Sequence, residues 1–381
     1  MDAALLTLSL LREALTGVPA ALPEDASDEL LAEVFILAKR HDLAHIVGKV
    51  LLSRGVTLAT RLSEAFVNEE SRAVYRYHRL WHAYGEIREA LAAYGVLFVP
   101  LKGALLRHLY PVASMRTSCD IDLLVKEESL DAAQKALTAI GCTEDGRTFH
   151  DVSYHLGDAH LELHYNILTN VEGLDTVLST VWEHVETVGD APLEGRLSPA
   201  FFAFHVVAHM CEHFMRGGCG VRALLDLYLL EHSESFDAEG TRALCKQAGI
   251  LPFLEAAEAL SRVWLEGAEH TSLTSLMQDF ILRGGIYGTR DNRVAAGTGR
   301  RPRGKLSYLL SRIFPPRRYL ALSYPSLNRF PFLLPLCWVR RALRILFRGR
   351  SRAALSEIAA THSLPAGTEA ATRELFNALS L

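Results

Sequence analysis

In the stretch "RTSCDIDLLV", residues 116–125, Asp120 and Asp122 stand two positions apart inside a run that otherwise reads as a buried strand. Strand side chains alternate between faces, so the two aspartates project from one side and Ile121 and Leu123 from the other. Like charges held that close repel, and a hard divalent cation turns the repulsion into binding. Mg²⁺ takes oxygen ligands and favours one or two carboxylates together with substrate phosphates. A third acid, Glu162 in "HLELHYNI", lies forty residues further on, room for one helix and a strand. From a neighbouring strand it could act as general base toward an attacking hydroxyl or complete the shell of a second ion. The alternative without a metal has one aspartate capping a turn and the other paired with Arg116. Lys102-Gly103 ends the preceding strand, where glycine lets backbone approach a phosphate, a helix N-terminus offers N–H groups and the lysine adds charge. Lysine before a glycine turn is also common where no phosphate binds.

These residues need elements to hold them. Residues 1–95 repeat apolar positions at three and four spacing and read as helices, with Gly55 and Gly95 as stops. Val96–Leu101 is a short apolar strand followed by a Gly turn and a helical pattern. After the Asp-Ile-Asp strand, "EESLDAAQKALTAIG" is a helix ending at Gly141, and "DVSYHLGDAHLELHYNI" alternates as a hairpin turning at Gly157-Asp158. From Leu197 the pattern is helical again to about residue 284, and "RGGIYGTRDNRVAAGTGR" reads as a Gly-rich polar loop.

The net charge of −4 hides an asymmetry. Residues 300–352 hold 14 Lys plus Arg and no Asp or Glu, which leaves the remainder 26 basic against 44 acidic residues, a balance of −18. Within that arm, Arg340, Arg341, Arg344 and Arg348 alternate with Val339, Leu343, Leu346 and Phe347 as a basic amphipathic helix, suited to an anionic membrane surface. Its interleaved Phe314, Tyr319, Tyr324 and Phe330 also fit nucleic acid, and a third reading packs the arm on the acidic body of its own chain. The apolar run "FPFLLPLCWV" is about half the roughly 20 residues a spanning helix needs. Six scattered cysteines without a CxxC pair argue against disulfides and a thiolate zinc site. The first stretch lacks a basic segment before its apolar run, so the expected location is cytoplasmic, with the arm able to place the protein peripherally at a membrane.

His205, His209 and His213 share one helix face in "FHVVAHMCEH". They read as structural histidines, as acceptor or nucleotide contacts, or as a metal site, although no HExxH motif is present. Arg222 and Asp226, four apart, read first as an intrahelical ion pair.

Taken together, "VPLKGALLRHLYP", "MRTSCDIDLLV" and "LELHYNI" resemble the uncharacterised nucleotidyltransferase family related to the DNA polymerase β superfamily. The likeness rests on Lys102, Gly103, Arg116, Asp120, Asp122, Glu162 and His164, and it extends over most of residues 30–290. Two positions depart from the superfamily's habit: Gly103-Ala104 replaces a Gly-Ser or Gly-Gly turn, and the third acid is a glutamate. The resemblance implies an α+β fold, a small mixed-sheet polymerase β-like core at 96–185 between a helical region at 1–95 and a helical domain at 186–299. The basic, aromatic and proline-rich arm with terminal helices at 300–381 follows. It implies that Asp120, Asp122 and Glu162 bind Mg²⁺, with Mn²⁺ as a substitute, and act in catalysis. Lys102, Gly103 and Arg116 would then bind the nucleotide. His164, His209, His213 and Asp226 become family-like positions with an acceptor-contacting or supporting role. The implied reaction moves an NMP group from an NTP, ATP among them, and releases pyrophosphate; the resemblance names no acceptor, and a small-molecule or glycan-type acceptor is the expectation. The rival readings are a toxin-like enzyme that modifies protein side chains and a nucleotide-binding scaffold without turnover.

Overall fold

Alternation in the sequence becomes a mixed sheet in the computed structural model, which describes all residues except 1, 24–25, 189–190, 287, 300–309, 311–312, 318–319, 322–323, 325 and 348–366. Two units form, one from Met1–His209 with Val221–His270 and the other from Met210–Gly220 with Thr271–Leu381.

The first unit opens with helices α1 (Ala3–Thr16), α2 (Asp28–Arg40), α3 (Ala44–Ser53) and the long α4 (Thr60–Ala93). Local chemistry explains their ends: Ser27 caps α2 by accepting from the Leu30 amide, with acids in the first turn and Lys39 and Arg40 in the last, which suits the helix dipole. Then follow β1 (Phe98–Pro100), α5 (Gly103–Leu106), β2 (Asp120–Val125), α6 (Leu130–Ala139), β3 (Thr143–Arg147), β4 (Asp151–Leu156) and β5 (Ala159–His164). Next come α7 (Glu172–Leu178), β6 (Val185–Val188), β7 (Ala191–Leu197), α8 (Pro199–Met215), α9 (Gly220–Glu231), α10 (Ala238–Gln247) and α11 (Leu251–Glu266). The architecture is α+β, as the resemblance implied. Among the described residues the sheet has seven strands in the order β3-β4-β5-β2-β1-β7-β6.

The central pairings set the site. β2 runs antiparallel to β1 and parallel to β5, while β4 and β5 form the expected hairpin about Gly157, whose φ of 57° glycine adopts without strain. One face of the sheet carries Ile121, Leu123 and Val125 from β2 with Leu161 and Leu163 from β5. They pack against Leu80, Ile87 and Leu91 of α4 and Ala133, Ala136 and Leu137 of α6. The acids take the other face. A one-residue slip of either strand would bury the carboxylates in this core, so burial of the apolar face fixes the register.

Three expectations need correction. The sheet does not stop near residue 185, because β7 adds to it, pairing parallel with β1 at Phe98 and Glu194, and β6 pairs back on β7. Val185–Val188 is only four residues long, and Pro192 and Gly195 interrupt the alternation of Ala191–Leu197, so their periodicity is weak. Residues 290–299, read as loop, form helix α13 (Arg290–Gly299): Val294, Ala295 and Ala296 are buried, and the Asn292 amide donates to the Phe280 carbonyl at 2.7 Å. Arg222 and Asp226 do not pair with each other, as described below.

In the second unit α12 (Ser272–Gly284), α13, α14 (Ser326–Arg329), α15 (Leu334–Phe347) and α16 (Thr368–Ala378) occur. Phe214, Phe280 and Phe376 meet there, with ring centroids 4.7–5.7 Å apart. No helix among the described residues is long and apolar enough to cross a membrane. None of the six cysteines forms a disulfide, and all but Cys119 are buried.

The helices behind α9 contain a buried carboxyl pair. Glu231 feels the charge of Glu258, which itself pairs with Arg242 and, at 3.8 Å, with Arg262. Burial, then the Glu258 charge, pushes the Glu231 carboxyl up to about 8. The folded state therefore keeps a proton that the unfolded chain loses from about pH 4.5 upward, so this group's stabilising contribution is complete below that pH and is lost as pH rises to about 8. Glu231→Gln should raise the urea midpoint at about pH 8.5 and leave it nearly unchanged at about pH 4. Equilibrium unfolding at the two pH values checks this.

Candidate active site

Parallel pairing of β2 and β5 places Asp120 across from His160 and Asp122 across from Glu162. Because β5 alternates like β2, His160, Glu162 and His164 rise from one face. Two overlapping donor groups result: Asp120, His160 and Glu162, and Asp122, Glu162 and His164, each with ligand atoms within 4.8 Å of one another. The His164 Nε2 is 3.1 Å from Asp122 Oδ1 and 3.6 Å from Glu162 Oε2. Lys102 Nζ approaches the same Asp122 oxygen at 3.5 Å, and Ser118 Oγ donates to Asp120 Oδ1 at 2.9 Å.

The three acids divide the electrostatic burden unequally. Burial pushes Asp122 upward, but Lys102 and then His164 outweigh it and hold the carboxyl below the ordinary carboxylate range. Burial and the Asp122 charge raise Asp120. Burial, then Asp122 and Asp120, lifts Glu162 to about 7. The crowded carboxylates are thus short of positive charge, which a divalent cation could supply. The donor set, carboxylate oxygens with imidazoles at the edge, fits such an ion.

Lys102 reaches this position through unusual backbone. Its φ of 34° and ψ of −101° lie where residues with a Cβ are rarely found. Its carbonyl accepts from the Leu105 and Leu106 amides at 3.0 and 2.9 Å, so the strained residue is also the start of α5. Glycine at 103 leaves room for Arg116: a Cβ there would stand 2.7 Å from Arg116 Nη1 and 3.2 Å from Ser118 Oγ, so the guanidinium would have to shift. The close approach that the glycine permits is therefore to Arg116.

Arg116 is engaged with Asp226 of α9. Its Nε and Nη2 donate to the two carboxylate oxygens at 3.2 and 2.9 Å, and Tyr110 Oη donates to Oδ1 at 2.7 Å. All three residues are buried. Arg222, one turn earlier on α9, donates to the Thr117 carbonyl at 2.9 Å and lies 3.2 Å from Asp42, which also accepts from Thr117 Oγ1. His45 Nε2 lies 2.9 Å from the Met115 carbonyl. The loop entering β2 is thus gripped from α3, α9 and the turn before α3, and the intrahelical pair expected of Arg222 and Asp226 loses to better-placed partners.

Among the α8 histidines, the one set beside the acids is His205, which was left out of the candidate site. It is buried, its Nδ1 has no hydrogen-bond partner, and burial followed by Lys102 lowers it to about 3. His209 follows one turn on, and His213 lies in the second unit, 3.8 Å from Glu212. His160 was also missed, although the H-L-E-L-H alternation put it on the face of Glu162. His150, whose ring stacks on His164 with centroids 5.7 Å apart, had no signal short of the fold.

The buried pair generates a prediction. Asp226→Asn leaves the Arg116 charge without its counter-ion and should cost about 3–5 kcal/mol, whereas Gly103→Ala, which forces Arg116 to shift, should cost about 1–3 kcal/mol. Urea unfolding of each variant measures both.

A family model described as uncharacterised nucleotidyltransferase matches residues 28–266. The match takes in Lys102, Arg116, the three acids and Asp226, and stops short of the residue 290 to which the resemblance was read. No curated protein matches the sequence. The solution structure of the antibiotic-resistance factor ANT(2'')-Ia aligns over 44% of this chain and 90% of that one, at 12% identity and a TM-score of 0.33. With its model matched over well more than half of its length, the chain belongs to the uncharacterised nucleotidyltransferase family.

Proposed function

We propose that the protein transfers an NMP group from an NTP to a small-molecule or glycan-type acceptor, with Mg²⁺ as the natural ion, Mn²⁺ as a substitute and pyrophosphate as the second product. The observation that carries this reading is the convergence of Asp120, Asp122 and Glu162 on one face of paired strands, within reach of one another and of Lys102. Such crowding opposes folding unless a cation repays it, and a nucleotidyltransferase needs that cation at the triphosphate.

Asp120, Asp122 and Glu162 would hold the metal. A divalent ion in such a place neutralises phosphate charge and polarises the reacting phosphoryl group. The chain's own residues do the rest. Lys102, fixed by its strained backbone, presents an ammonium to the phosphate oxygens, and the Arg116–Asp226 pair holds the loop that aims β2. Glu162, across from Asp122, takes the proton of the acceptor hydroxyl as its oxygen attacks the α-phosphorus. The new P–O bond forms as the bond from the α-phosphorus to its bridging oxygen breaks, and pyrophosphate leaves with that electron pair. His164 keeps the Asp122 carboxylate oriented by its hydrogen bond.

The full-length protein incubated with Mg²⁺ and each α-labelled NTP, in the presence of sugars, sugar phosphates or glycans, should release pyrophosphate and label one acceptor. The Asp120→Asn, Asp122→Asn double variant should lose at least about 100-fold in rate. Absence of metal-dependent NTP binding in the wild-type protein would overturn the reading, and label on protein alone would replace the acceptor class with a protein side chain.

A further inference from the structure

The basic arm lies beyond residue 266, where the family match ends, and nothing in the transfer reaction uses it. Within it, α15 has two unlike faces. One turns inward: Cys337 is buried with Leu320, Tyr324 and Leu327, and the Trp338 indole donates to the Pro315 carbonyl at 2.9 Å. The other is left to solvent. Leu336, Val339 and Leu343, spaced three and four apart, are 68%, 57% and 47% exposed, and Phe332 just before the helix is 75% exposed.

Arg340 and Arg344 border this apolar row, and both guanidinium groups sit over the Tyr324 ring, 5.6 and 5.7 Å from its centroid. The stacking fixes two positive charges beside the row and uses no acid to do so. No acid occurs anywhere in residues 300–352, against 14 basic residues, so the segment carries no counter-charge of its own. Arg348, Leu346 and Phe347, read as part of this helix face, lie outside the described residues or side chains.

An aliphatic row edged by arginines on a helix of 14 residues is too short to span a bilayer and has the form of one that lies in the interface plane. The apolar side chains then enter the acyl boundary while the guanidinium groups reach the headgroup phosphates. Nucleic acid fits this face less well, because stacking of bases needs exposed rings beside the cations. On the helix itself the exposed row, Leu336, Val339 and Leu343, is aliphatic and the Tyr324 ring is buried beneath the arginines; exposed rings beside a cation, Phe330 with Arg329 and Phe332, occur only just before it.

We propose that α15 is a docking surface for anionic lipid, which seats the protein at a membrane through Phe332, Leu336, Val339 and Leu343 with Arg340 and Arg344 pairing to headgroup phosphates. The proposal does not depend on the transfer reaction. Co-sedimentation of the full-length protein with phosphatidylcholine vesicles, and with the same vesicles containing about 30% phosphatidylglycerol, tests it.

The anionic vesicles should bind at least about tenfold better than the neutral ones. Leu336→Ser, Val339→Ser, Leu343→Ser together, and separately Arg340→Gln, Arg344→Gln, should each weaken binding at least about fivefold, with far-UV circular dichroism unchanged. The Asp120→Asn, Asp122→Asn variant should bind vesicles like wild type. Equal binding to both vesicle types, no binding to either, or wild-type binding by the triple serine variant would overturn the proposal. So would tight binding of single-stranded oligonucleotides that anionic vesicles fail to compete away.

Discussion

Three carboxylates forced onto one face of two adjacent strands are the constraint around which the first unit is arranged. The opposite face of β2 and β5 is closed by α4 and α6, so neither strand can slip to relieve the repulsion. The strongest relief comes from Lys102 and His164 at Asp122, with Ser118 donating to Asp120 and His164 also near Glu162. Asp120 and Glu162 are left with raised proton affinity, which is the electrostatic mark of a place built for one more positive charge. Apolar packing on one side thus holds an unfavourable charge cluster together on the other.

Such a cluster is useful only if its surroundings do not yield. The loop entering β2 has only a single 3-10 turn, Ala113–Met115, to stiffen it, and neighbouring elements tie down its end and the residues that follow. Met115 is held through His45, Arg116 through Asp226 and Tyr110, and Thr117 through Asp42 and Arg222. Charge-assisted bonds in buried surroundings are strong and directional, so the entry angle of β2 becomes a property of α3 and α9 as much as of the strand. Strain at Lys102 belongs to the same scheme, since a residue with φ of 34° persists where its neighbours over-determine it.

Much of this was legible in the sequence, and what was missed has a common cause. The acids, the Lys-Gly turn and the hairpin appear because their signals are local: period-two alternation, a turn dipeptide, a spacing between motifs. Arg116 was assigned to phosphate and Asp226 to its own helix because their mutual partnership spans 110 residues, and no local pattern reports it. Gly103 shows the same limit. Its smallness was correctly taken as a sign of close approach, while the group that approaches, Arg116, is known only from the fold. On α8 the helical spacing selected three equivalent histidines, and tertiary packing chose His205.

The chain holds a second unbalanced charge cluster, and comparing the two shows how burial decides what a cluster can bind. In the sheet the like charges are walled in, so a partner must be small, hard and multiply charged to enter and be worth its desolvation. In the arm the described Arg340 and Arg344 are exposed, where a single charge is separately weak, and only a partner that meets several at once gains much from them. An extended anionic surface does so, and the apolar row on α15 adds the short-range contact that exposed charges lack. Under the two proposals, acidic core and basic arm would meet opposite kinds of phosphate ligand: a single triphosphate held through metal at the first, a field of headgroups at the second.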